Sequence, residues 1–244
     1  MIAALIAHSE SPDAGSTGAL AALPRGFADP VHGSQTTFRC LLEAMARPGC
    51  VQALDADTRD ALAPPSGLGV ATTAILLTVA DADTAVWLSP AFAPAQVLEG
   101  VLAFGRFHTG MRVVPRAEES QYAFAPAHAA AEALLLGLPR GSDEAPQEGA
   151  TLIVEAPSIV SVEEDAAAAA PPAHPEDADP TPWVRLSGPG VRHARWLAVG
   201  GLSLAFWRAR EELQAGFPRG VDIVFTCSGQ IAAVPRSTVV QRSR

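Results

Sequence analysis

Lysine is absent from this 244-residue chain, and all 17 basic side chains are arginine. No ε-amine is available as a nucleophile, a Schiff-base former or the cation of a phosphate-binding P-loop. Cysteine is scarce. Cys40, Cys50 and Cys227 are odd in number and widely spaced, which fits neither a disulfide framework nor a paired zinc motif. They read as buried free thiols in a reducing compartment. The chain contains no G-x-S-x-G nucleophile elbow and no G-x-G-x-x-G after a strand. Its histidines, His8, His32, His108, His128, His174 and His193, are scattered and form no H-E-x-x-H. No run approaches the roughly 18 apolar residues of a membrane span. The N-terminus lacks the charged-then-apolar pattern of a secretory leader. The sequence predicts a cytoplasmic protein with no cofactor and no metal.

What is present suits a layered α/β protein with a sizeable core: 48% of residues are apolar and the mean hydropathy is +0.19. The net charge of −9 argues against a nucleic-acid-binding surface, which needs a basic stripe. Much of that charge is local. Glu163, Glu164, Asp165, Glu176, Asp177 and Asp179 share one arginine-free segment. With five consecutive alanines and several prolines, residues 163–182 cannot bury enough apolar surface to order themselves. They read as an exposed insertion in a hairpin between strands at 150–156 and 183–187. Residues 1–25, rich in Ala, Ser, Gly and Pro, read as a flexible extension, and 26–244 as a single domain.

Along that domain, Ser34 is a candidate N-cap for a helix whose apolar stripe is Phe38, Leu41, Leu42 and Met45, ended by Pro48-Gly49. Val70–Val79 reads as a buried helix by length and alanine content. A short strand at 85–88, a helix from Pro94, a strand at 121–125 and a helix at 127–136 follow. Strand and helix alternate, which points to a layered sheet. Trp183–Leu186 resumes that sheet, and a helix at 203–214 precedes the clearest feature of the chain. There Val221–Cys227 is an almost unbroken apolar run, Ser228-Gly229 a turn, and Gln230–Val234 a second strand stopped by Pro235. Such a strand is buried on both faces, so this hairpin belongs near the middle of a covered sheet.

Five cations are candidates for an anion site: Arg39, Arg47, His108, Arg219 and Arg236. Arg39 and Arg47 lie off the apolar stripe, where a solvated helix face accounts for them equally. His108, at a helix end, either caps the last carbonyls or contacts an anion. Arg219 and Arg236, at the entrance to and exit from the hairpin, either grip a phosphate or carboxylate with their forks or close salt bridges to Asp222 or a partner. No catalytic residue is assigned.

Several blocks then occur in a telling order: Phe38-Arg39-x-Leu41-Leu42-x-Ala44-Met45 with Pro48-Gly49; Ala71-Thr72-Thr73 through Leu76-Leu77-Thr78 with Asp81-x-Asp83-Thr84; and Phe107-His108-Thr109. Gly149–Ile153, Arg185–Gly190, Phe217-Pro218-x-Gly220-Val221-Asp222 and Pro235–Thr238 complete them. On these blocks the chain resembles the PhnH family of the bacterial carbon–phosphorus lyase pathway. The resemblance implies a three-layer α/β/α fold with a central mixed sheet, similar to pyridoxal-phosphate-dependent transferases. Without lysine such a fold cannot form the internal Schiff base. It further implies a homodimer when isolated and an assembly with sibling subunits G, I and J, and functionally L. That assembly resembles an α-D-ribose 1-methylphosphonate 5-triphosphate synthase, which exchanges the adenine of ATP for a phosphonate. The H subunit would be a required structural partner with no catalytic residues to carry over. The family pattern has only a short connection where this chain carries 163–182.

Overall fold

The computed structural model describes residues 23–164 and 181–242, so most of the extension over 1–25 and of the insertion at 163–182 lies outside the described residues. The first described helix, α1 (Pro30–Ala46), begins five residues before the predicted start. Asp29, not Ser34, is its N-cap, and Asp29 Oδ1 accepts the N–H groups of Val31 and His32 at 3.0 Å. Pro30 sits where a helix needs no N–H, so the Asp-Pro pair starts the helix better than Ser34 could. The buried face is also rotated from the predicted stripe. Thr37 and Ala44 are buried, with Cys40, Leu41 and Met45 packed beside them, whereas Phe38 and Leu42 are about half exposed. Small residues win that face because α1 lies directly on α3 (Val70–Val79), whose own contact residues include Ala71 and Ala74. The short α2 (Ala56–Ala61) lies between them in sequence. The reading of α3 as a buried helix holds, since every residue from Ala71 to Leu76 is buried.

A seven-stranded mixed sheet forms the centre. It contains β1 (Gln52–Ala53), β2 (Ala85–Leu88), β3 (Arg112–Val113), β4 (Tyr122–Pro126), β5 (Thr151–Glu155), β9 (Asp222–Cys227) and β10 (Gln230–Val234). Their order is β1-β10-β9-β5-β4-β2-β3. From β3 to β9 neighbouring strands are parallel; β10 and β1 add an antiparallel edge. The predicted hairpin is β9–β10, with Cys227 opposite Gln230. Its apolar composition follows from its position. Val224, beside Ile153 and Phe124, faces a layer made by α1, α3 and α4 (Ala95–Thr109), while Ile223 and Phe225, beside Leu152 and Val154, face the opposite layer.

That opposite layer departs from the sequence reading. It combines α5 (Glu132–Gly137) and α6 (Leu204–Gln214) with a separate four-stranded sheet. The second sheet contains β6 (Ile159–Glu163), β7 (Trp183–Ser187), β8 (Arg195–Val199) and β11 (Val239–Arg242), in the order β11-β7-β8-β6. Trp183–Leu186 therefore does not resume the central sheet. Nor do 150–156 and 183–187 form a hairpin, because β5 lies between β4 and β9 in the other sheet. Residues 164–182 instead link β6 to β7. Both strands run antiparallel to β8, hence parallel to each other, and parallel strands need a crossover in place of a tight turn.

The core is most exacting where α6 meets β9: Phe225 is fully buried, with its ring centroid 5.8 Å from that of Trp207. Phe225→Ala removes a large side chain that this packed layer cannot replace. The expected loss is about 3–5 kcal/mol, read as a lower urea midpoint with an unchanged slope.

Candidate functional site

The predicted rim residues sit at the start of β9 and just past the end of β10. Arg236 turns back onto Asp222: Nη2 donates to Oδ2 at 2.6 Å, and Nε donates to both carboxylate oxygens at 3.1 and 3.2 Å. Its backbone N–H donates to Asp222 Oδ1 at 2.7 Å, and Nη1 donates to the carbonyl of Pro146. Both side chains are only 15% exposed. Gly149 lies against this pair. A Cβ there would stand 2.6 Å from Arg236 Nη1 and would also strike the carbonyl oxygen of Gly220, so the close approach of three chain segments requires glycine. The arrangement joins the Gly149, Phe217–Asp222 and Pro235–Thr238 blocks in one corner. It leaves Arg236 turned inward, bound to the protein's own carboxylate.

The other candidates are separate. Arg219 is about half exposed and reaches Asp143 at 3.3 Å. His108 Nε2 donates to the carbonyl of Pro24 at 3.1 Å, and its ring lies beside Phe104 and Phe107. Arg39 is exposed on α1. Arg47 follows the last residue of α1, pairs with Glu43 at 2.9 Å, and alone of the five lines a groove of about 570 Å³.

Two polar features were not predicted. Arg210 on α6 is 1% exposed, and its Nη2 donates to the carbonyls of Pro235 and Thr238 at 2.7 and 3.1 Å, fixing the chain between β10 and β11. Burial pushes its pKa down to about 10, so it stays charged at neutral pH. At the C-terminal end of β5, Glu155 Oε2 accepts the N–H of Gly69 at 2.9 Å and the hydroxyl of Thr72 at 2.5 Å. Thr72 also lies 2.8 Å from the Thr226 hydroxyl. The carboxyl ends of parallel strands are where open α/β sheets bind ligands. Here the protein's own carboxylate takes the N-terminus of α3, where an anion is favoured.

Nothing in these arrangements assembles a nucleophile with a base. Among the described residues no three His, Cys, Asp or Glu side chains are placed to hold a metal ion, and no helix is long and apolar enough to cross a membrane. Cys40, Cys50 and Cys227 are half-buried and unbridged, and burial pushes the Cys40 thiol up to about 11, away from reactivity.

The model of the bacterial phosphonate metabolism protein PhnH matches residues 25–241. The chain belongs to the PhnH family. Within its range fall all the motif blocks described above. A Rhizobium meliloti (strain 1021) relative named alpha-D-ribose 1-methylphosphonate 5-triphosphate synthase subunit PhnH is 33% identical over 216 residues, covering 88% of this chain and 94% of that protein. A Stutzerimonas stutzeri protein named as a C-P lyase subunit, HtxG, is 28% identical over 205 residues, 84% of each chain. Of these blocks, Gly149, Gly220, Asp222 and Arg236 meet in one close-packed corner, while Pro48 and Gly190 line the groove beside the end of α1.

A structural role for the rim separates its two arginines. Arg236→Ala strands a largely buried Asp222 and is expected to lower stability by about 2–4 kcal/mol. Arg219→Ala, at an exposed pair, should change it by less than ~0.5 kcal/mol. Paired urea titrations of the two variants check this.

Proposed function

We propose that this chain serves as the H-type subunit of an assembly that makes α-D-ribose 1-methylphosphonate 5-triphosphate from ATP and a phosphonate during phosphonate catabolism. The carrying observation is the PhnH match across almost the whole body, supported by the names of both relatives. The chain contributes structure and partner surface, and the reaction needs groups from sibling subunits. In this reading the mixed sheet flanked by helices is a relative of the pyridoxal-phosphate-dependent transferase fold that has lost the cofactor, in keeping with a chain that has no lysine. The isolated protein is a homodimer in the cytoplasm, and its working partners are subunits G, I and J, with L acting in the same step.

A second reading, direct binding of a triphosphate or phosphonate by Arg39, Arg47, His108, Arg219 and Arg236, asks at least three of them to share one pocket. The inward pairing of Arg236 and the separate anchoring of His108 favour the assembly reading.

The surface offers a place for a partner. Val31, Phe38 and Leu42 are 68%, 48% and 51% exposed along one side of α1, at spacings of seven and four residues. Aromatic and aliphatic side chains aligned in this way suit the apolar centre of a subunit interface. Co-expression of the tagged chain with G, I and J is expected to retain all three through purification; loss of all three overturns the assembly reading. Phe38→Asp with Leu42→Asp should weaken retention at least about tenfold while leaving the thermal midpoint of the isolated chain within a few degrees. Full retention by that double variant moves the interface off α1.

A further inference from the structure

The groove beside the end of α1 is independent of the rim residues and is not needed by the assembly reading. Its walls come from three chain segments: Arg47 after α1, Arg192 and His193 in the connection between β7 and β8, and Arg195 at the start of β8. One carboxylate, Glu163 at the end of β6, shares the lining. Glu163 holds Arg195 loosely, at 3.5 Å, and lies 4.0 Å from His193 Nε2. Arg195 Nη1 also donates to Ser161 Oγ at 3.2 Å, which aims the guanidinium from a firm strand. Arg192 is exposed and joins no ion pair among the described residues. Three guanidiniums and an imidazole therefore line one concave surface: Arg47 is held by Glu43 at 2.9 Å and Arg195 by Glu163 at 3.5 Å, which leaves the guanidinium of Arg192 without a carboxylate of its own among the described residues.

The groove is also firmly built. Gly190, at φ +79°, packs so closely on the end of α1 that a Cβ would stand 2.8 Å from Pro48 Cδ. This close approach locks the connection bearing Arg192 and His193 onto the helix bearing Arg47. At about 570 Å³ the groove has the size of a small-molecule site.

We infer that this groove binds the phosphoryl or phosphonyl group of a small molecule. Arginine forks match the oxygens of such groups bidentately, and three oxygens on one centre can meet guanidiniums from both walls where a monocarboxylate has only two. Glu163, 55% exposed, swings toward solvent as the ligand's oxygens replace it.

The test is calorimetric titration of the full chain, in phosphate-free buffer at physiological ionic strength, with pyrophosphate, methylphosphonate and acetate. Saturable binding of pyrophosphate or methylphosphonate, tighter than acetate, is the expected result. Arg192→Ala should weaken it about tenfold, because a charge-assisted hydrogen bond is lost, with no change in thermal midpoint. Arg47→Ala provides a second check from the opposite wall and should also weaken binding. Absence of binding by the unaltered chain, equal binding of acetate, or undiminished binding by both variants would each overturn the assignment. None of these outcomes depends on whether sibling subunits bind.

Discussion

The ion pair between Asp222 and Arg236 holds the centre of this molecule in register. Asp222 opens β9, the strand shared by both core layers, and Arg236 follows β10, its hairpin partner. Because one carboxylate accepts both the guanidinium and the backbone N–H of Arg236, the far end of the hairpin is closed as firmly as its turn. The same guanidinium reaches Pro146, so the loop leading into β5 is fastened to the hairpin that pairs with β5. A largely buried charge pair is a poor source of net stability but a strong specifier of geometry when all its donors are used. Arg210 fastens the next stretch differently, its buried Nη2 donating to the carbonyls of Pro235 and Thr238 while its Nε has no hydrogen-bond partner among the described residues.

This places the PhnH blocks in a physical light. Gly149, Gly220, Asp222 and Arg236 form one corner, and Gly49, Gly190 and the end of α1 another. Each glycine permits a backbone approach that a side chain would block, and each charged residue closes a seam between chain segments. The carboxyl edge of the parallel strands, where a related sheet would open toward a ligand, is closed by Glu155 hydrogen-bonded to Gly69 and Thr72. The absence of lysine removes Schiff-base chemistry, and the geometry of Glu155 shows the protein's own atoms filling the neighbourhood.

Local features were legible in the sequence wherever one physical demand governed a segment. Val70–Val79 and the strand cores Ile223–Phe225 and Ile231–Val234 are dominated by apolar residues because both faces are covered, and both regions were readable as buried elements. The second sheet was not, for β6 alternates a buried Ile159 with an exposed Val160, a weak signal in five residues. Which sheet Trp183–Ser187 joins depends on pairing with β8 and β11, which no local pattern encodes. The buried face of α1 went to Thr37 and Ala44 because helix-on-helix contact favours small residues over the most hydrophobic stripe. Arg210 and Glu155 were not singled out in the sequence, since nothing in their neighbours announces burial or a distant partner. Of the five cations, Arg47 alone shares a groove with Arg192 and Arg195.

Arg236 and Arg210 face inward in this scaffold while an apolar stripe on α1 is exposed, and the proposed role is that of a subunit whose reaction is completed by its siblings. That account is tested most directly by adenine release from ATP in the presence of methylphosphonate. The measurement compares sibling subunits G, I and L with and without this chain, and this chain alone. The account predicts release that depends on adding the chain, and none from the chain by itself. Release by the chain alone, or undiminished release by the siblings without it, would contradict it.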